Sequence, residues 1–239
     1  MRKLLPYAVT TALVAAGISV APAYAEQAYL EEVLVVAQKR TENLQDVPLS
    51  VTALSGDMLQ QARITRSADL VNVTPSLTLQ DGGERRNSSF NIRGIGTQSF
   101  SSGVEPSVST VVDGVVMGRS GMAFAQMMDL KGVEVLRGPQ GMLFGKNASA
   151  GVVHILTNDP TPEFEANIGV RVEDDMYRVE GAVSTPLGDQ FGLRIAAMYS
   201  DTDPYVDNRH SSGDLNDSED KAVRGKLRWE PSDTLEFKL

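Results

Sequence analysis

The chain has 239 residues, 41% of them hydrophobic, with 22 basic against 31 acidic residues and no cysteine. A formal charge of −9 argues against nucleic acid as a partner, because an acidic chain repels phosphate backbones and no basic stripe with interleaved aromatics offsets the repulsion. Without cysteine no disulfide holds the fold, which leaves burial, or a sheet closed on itself, to stabilise it.

Arg2 and Lys3 precede an apolar run from Leu4 to Val20, and small Ala23 and Ala25 flank Tyr24. This pattern predicts a secretory signal peptide over residues 1–25 and a mature chain from Glu26. The alternative, a retained anchor helix, is disfavoured: Pro6 and Gly17 break a run that stays short of the about 20 residues a span requires. Cleavage leaves 20 basic residues against 31 acidic, so the formal charge of −9 becomes −11. No later apolar run is long enough for a transmembrane helix, so a membrane protein built from this chain has to be a barrel.

Residues 26–46, "EQAYLEEVLVVAQKRTENLQD", are acidic, then briefly apolar at Val33 to Val36, then polar and basic, which reads as an extended arm. Residues 47–160 have the mixed grammar of a compact α+β domain. "VPLSVTAL" reads as a strand, "GDMLQQAR" and "RSADLVN" as short helices. "SLTLQ", "SFNIRGIG", "SVSTVVDGVV", "GVEVLRG" and "GVVHILTN" read as strands joined by glycine turns.

The glycine-rich stretch "VEVLRGPQGMLFGKNASAGVVHIL", Val133 to Leu156, invites comparison with a phosphate loop. It fails that test twice. Gly141 lies four residues before Gly145, where the motif needs five, and Lys146 is followed by Asn147, which offers no hydroxyl to a metal ion. Catalysis finds no support either: there is no cysteine nucleophile, no H-E-x-x-H and no G-x-S-x-G, so neither an enzyme nor a cofactor is expected. His154 reads as a packed or hydrogen-bonded strand residue. His210 lies among acids in a polar loop, where metal capture is the alternative to a plain loop residue, and no metal site is assigned.

Over residues 161–239 the grammar becomes strict alternation. Phe164, Ala166, Ile168, Val170 and Val172 alternate with Glu165, Asn167, Gly169, Arg171 and Glu173, giving one apolar and one polar face. The rule continues through Tyr177–Val183, Phe191–Tyr199, Val223–Trp229 and Leu235–Leu239. Short connections alternate with a long polar loop from Asp201 to Asp220, and aromatic residues sit near strand ends, as in outer-membrane barrels. A soluble β-sandwich alternates in the same way, but the export signal and strands near the about 9–11 residues that cross a bilayer favour the barrel. Five strands are too few to close a barrel that starts at about eight, and the chain stops inside "LEFKL", so the expectation is the front portion of a longer protein.

These pieces resemble one family, the TonB-dependent outer-membrane receptors. "EEVLVVAQKR" resembles the TonB box, "DVPLSVTALSGDML" and "NIRGIG" the start and middle of the plug domain, and "VEVLRGPQGMLFGKNASAGVVHILTNDP" its closing signature. Three residues depart from that signature: Met142 where threonine is usual, Ala150 where a second glycine is usual, and His154 where asparagine is usual. The resemblance implies an α+β plug followed by the first antiparallel strands of an incomplete transmembrane β-barrel. It further implies the outer membrane of a Gram-negative bacterium, contact with its lipid, and uptake of a scarce nutrient such as a ferric siderophore, cobalamin or a carbohydrate.

By the same resemblance, TonB of the inner-membrane energising complex would pair as an added strand with Glu32, Val33, Leu34, Val35 and Val36. Arg93 and Arg137 would lock plug to barrel through carboxylates on strands beyond Leu239, the alternative being two surface arginines beside turns. The apical turns would present Arg86, Gln98, Phe100 and Arg119 to the substrate. Two rivals are a passive porin, which would lack both plug and box, and a soluble exported β-rich binding module without transport activity.

Overall fold

The computed structural model describes residues 34–80, 82, 87–98, 103–124, 126–204, 206, 215–232 and 234–239. The first layer is a mixed five-stranded sheet. Its strands are β3 (Ser50–Ser55), β7 (Val108–Val112), β8 (Val115–Val116), β9 (Leu130–Arg137) and β10 (Gly151–Thr157), in the spatial order β3-β9-β10-β7-β8. Only β7 and β10 run parallel. Val133, Val135, Val152 and Val153 are wholly buried, as β-branched residues are when a sheet is covered on both sides.

One side packs on α1 (Gly56–Gln61), a 3-10 turn at Ser67–Asn72, and a three-stranded sheet of β4 (Leu77–Gln80), β5 (Ser89–Ile92) and β6 (Ile95–Gly96). The Phe90 and Phe124 rings meet there at 4.8 Å. The start of α1 follows from Ser55, whose Oγ accepts the Met58 N–H at 3.2 Å and satisfies one orphan donor of the first turn. Two hairpins share one turn chemistry. Arg93-Gly94 joins β5 to β6 and Asp113-Gly114 joins β7 to β8, with φ values of 54°, 77°, 47° and 84°. Positive φ at both central residues is what a two-residue type I′ hairpin demands.

The arm is tied down rather than free. β1 (Leu34–Val35) pairs antiparallel with β2 (Glu42–Asn43), and Val35 and Ala37 are fully buried. They enter a second cluster with Val47, Leu136, Phe144 and Val152 on the other side of the plug sheet. Leu34–Val35 is extended, and Val35 and Ala37, two residues apart, face one way, onto that cluster. A single-turn helix α2 (Gly141–Phe144), which the sequence did not announce, lowers Phe144 into the same cluster.

The second layer is a meander of β11 (Glu165–Val172), β12 (Met176–Pro186), β13 (Phe191–Thr202), β14 (Ser218–Ser232) and β15 (Leu235–Lys238), each paired with the next. Its two faces are inverted relative to a soluble protein. Ile168, Val170, Val172 and Val223 are 79%, 67%, 75% and 78% exposed, while Arg178 and Arg194 are each 3% exposed. The polar face covers the plug and the apolar face points away from it. A sheet folded in water would do the opposite, and a barrel wall in lipid does this. The outward face has aromatic ends, with Phe191, Trp229 and Phe237 stacked at 5.8 and 5.2 Å at one end and Tyr177 against Tyr199 at 5.5 Å at the other.

Candidate functional site

Antiparallel register brings the inward cations of successive strands side by side: Arg194 of β13 lies opposite Lys226 of β14, and Ala196 opposite Arg224. All reach the same strip of plug. Arg178 donates to the Met127 carbonyl at 2.5 Å and to Gln126 at 3.0 Å, with Glu180 on its other edge at 2.7 Å. Arg224 donates to the Met128 carbonyl at 3.0 Å. Arg194 grips Asp129 with two parallel bonds, at 2.8 and 2.6 Å, the fork geometry that matches guanidinium to carboxylate. Lys226 bridges the Thr157 carbonyl, Asp159 and Asp113, and Lys238 also reaches Asp159.

The strip is shaped to receive them. Asp129 has φ 51° and its carboxylate also accepts from Asn158 Nδ2 at 2.9 Å. Burial alone would push Asp129 up, but hydrogen bonds from Arg194 and Asn158 and the field of Arg194 and Arg224 hold it below the ordinary carboxyl value. Asp159 behaves alike: burial raises it, and the Lys238 hydrogen bond with the Lys226 and Lys238 charges lowers it further. The geometry seats the plug against the wall by charge-assisted bonds between wall cations and plug oxygens.

Sequence reasoning looked for the opposite polarity, plug arginines held by wall carboxylates. Arg137 is half-buried; its Nε donates to Ser76 Oγ at 2.7 Å, Nη1 to Ser50 Oγ at 3.0 Å, and Nη2 to Thr52 Oγ1. Arg93, exposed at its hairpin tip, shares Ser50 Oγ at 3.2 Å. The structure thus brings both arginines to one hydroxyl cluster, Ser50 and Thr52 of β3 with Ser76 just before β4, and their partners here are hydroxyls. Arg178, Arg194, Arg224 and Lys226 were missed as a lock, although their parity on the polar face of alternating strands was a usable signal.

Of the other sequence-predicted residues, Leu34 and Val35 form β1, Leu34 is 58% exposed, and Val36 is half-buried. Gln98 and Arg119 are exposed on plug turns. Glu32, Val33, Arg86, Phe100 and His210 lie outside the described residues. Among the described residues no group of three His, Cys, Asp or Glu side chains is placed to hold a metal ion.

Residues 43–152 match the family model of the TonB-dependent receptor plug domain. The chain belongs to the TonB-dependent receptors. It is 30% identical to the pesticin receptor of Yersinia enterocolitica over 98% of this chain and 34% of that protein. It is also 25% identical to the vitamin B12 transporter of Vibrio vulnificus, over 88% of this chain and 34% of that one. The solved structure of the ferric yersiniabactin uptake receptor from Yersinia pestis superposes with a TM-score of 0.70 at 31% identity, covering 77% of this chain and 29% of that one.

The chain spans about a third of the length of the curated relatives it matches. As a TonB-dependent receptor it is a protein of the Gram-negative outer membrane, and its five-stranded sheet is part of an incomplete barrel wall. Met142, one departure from the family signature, is fully exposed on α2; Ala150 is buried; His154 is buried in β10.

Proposed function

We propose that the receptor takes up a scarce nutrient across the outer membrane, with the plug as gate, and that its energy arrives through TonB pairing with the arm segment Glu32 to Val36. The single observation that carries this is a family plug seated by cations against a wall whose other face is apolar. A porin has no plug, and a soluble binding module would not turn Ile168 and Val223 to solvent and Arg194 to the core. The reading makes the protein a transporter rather than an enzyme.

A ferric siderophore is the favoured substrate class, supported by the similarity to the ferric yersiniabactin uptake receptor at 31% identity; cobalamin is the second, supported by the vitamin B12 transporter. Arg86, Gln98, Phe100 and Arg119 are the proposed substrate contacts, two cations, an amide and an aromatic ring suited to an anionic, ring-bearing chelate. Strand addition supplies affinity through main-chain bonds, and proline removes a donor while fixing φ.

In energised cells given radiolabelled ferric siderophore, Val35→Pro should abolish uptake and leave surface binding near that of the parent. Equal uptake by the two receptors would remove the coupling claim. Loss of surface binding in Gln98→Ala with Arg119→Ala, at unchanged expression, would support the substrate assignment.

A further inference from the structure

The arm is fastened by a group that the transport reading leaves unused. The Val36 N–H donates to Glu134 Oε1 at 2.5 Å, a contact between residues 98 apart in the chain. The other carboxylate oxygen, Oε2, lies 3.3 Å from His154 Nδ1. Glu134 and His154 face each other directly across β9 and β10, and each side chain is only 4% exposed. His154 Nε2 has no hydrogen-bond partner among the described residues. The Phe144 ring closes over the imidazole at 5.8 Å, and Lys39 Nζ lies over that ring at 5.7 Å.

A carboxyl group buried beside Leu136 and Val152 is costly unless hydrogen bonds compensate it. Here one oxygen is bound by the imidazole and the other by the arm. If the arm leaves, Glu134 loses one of these partners and Val36 returns its N–H to water, so the docked state is favoured by both ends of one bond. Val35 and Ala37 leave the second cluster in the same movement. The edge that a partner strand would use is already occupied, because β1 pairs with β2.

We propose that Glu134 and His154 form a latch that holds Leu34 to Ala37 against the plug, with Glu134 binding the arm and His154 acting as a positioning residue that fixes the carboxylate. The latch sets how often the segment is available to a partner strand, a consequence that rests on the reading of Leu34 to Val36 as the TonB-pairing segment. His154, where the family usually has asparagine, therefore tunes this receptor rather than merely filling its core.

Leu34→Cys places a spin label at a position 58% exposed, and these 239 residues offer no competing cysteine. In the whole receptor, reconstituted without substrate, Glu134→Leu should raise the mobile fraction of that label about tenfold, the scale set by one charge-assisted hydrogen bond. His154→Asn, which keeps a donor, should give an intermediate value, and both variants should retain the parent melting temperature. Unlabelled Glu134→Leu should bind the periplasmic domain of TonB about tenfold tighter than the parent.

A label as immobile in Glu134→Leu and in Glu134→Gln as in the parent would overturn the latch. A freed label with unchanged TonB affinity would uphold the latch and overturn the pairing reading instead. Should Glu134→Leu fail to fold, the His154→Asn and Glu134→Gln labels decide, since each keeps the shape of the site.

Discussion

Two five-stranded sheets in this chain follow opposite rules. In the plug, β9 and β10 bury valine and leucine; in the wall, β12 and β13 bury arginine and serine and turn valine and isoleucine outward. Both obey the two-residue period of a strand. What differs is the medium that each face meets. The plug sheet is covered on both sides by its own chain, whereas the wall has protein on one side and lipid on the other. Alternation therefore reports that a sheet has two environments and leaves open which of them is the interior.

The largest effect should come from breaking the inner face. Arg194 and Asp129 are 4% and 7% exposed at the side chain and bonded twice, so Arg194→Met leaves a buried carboxylate without its ion-pair partner, held only by Asn158 and the more distant Arg224 charge. The expected cost is about 3–5 kcal/mol. It should appear as a lower melting temperature in detergent and as new protease sites in the plug. Arg194→Met combined with Asp129→Leu should recover most of the loss; a double variant as unstable as the single would refute the pair as the cause.

Next comes the outer face. Ile195 points away from the plug in mid-strand, so Ile195→Arg should cost about 2–4 kcal/mol in a bilayer, against about 0.5 kcal/mol for a water-facing surface. Denaturant titration in lipid vesicles reads the difference. A cost near the lower figure would place this face in water.

Much of this was legible beforehand. The alternation from Phe164 to Trp229 and the edges of β9 and β10 follow from local pattern, whereas "SFNIRGIG" and "SVSTVVDGVV", each read as one strand, fold back at Arg93-Gly94 and Asp113-Gly114 into two strands apiece. The docking of the arm was not legible, because it depends on contacts such as Val36 with Glu134 that are 98 residues apart and have no periodic signature. The lock was visible in part. Parity places Arg178, Arg194 and Arg224 on one face, but only the register of β12 to β14 shows that they converge on Met127 to Asp129.

Acid should sharpen the contrast by doing little. Asp129 and Asp159 are held below the ordinary carboxyl value of 3.8, so their stabilisation is complete above that value and is lost as pH falls through the lower folded-state values. The stability gap between parent and Arg194→Met should therefore be flat from about pH 8 to 5 and shrink only below about pH 4. A gap that closes between pH 7 and 5 would contradict this, since it would need a group titrating well above the carboxyl range.

The smallest effect tests whether distance or environment carries the energy. Lys146 and Glu105 are 2.7 Å apart, close to the 2.6 Å of Arg194 and Asp129, yet their side chains are 77% and 52% exposed. In water the charges are already solvated, so pairing gains little and salt screens what remains. Lys146→Ala should change stability by less than about 1 kcal/mol, and 1 M salt should erase the change, whereas the Arg194→Met loss should persist in salt. Near-equal losses from the two variants would mean that the inward face of the wall is as wet as the plug surface, and the contrast between the two sheets would then need a cause other than the medium on either side.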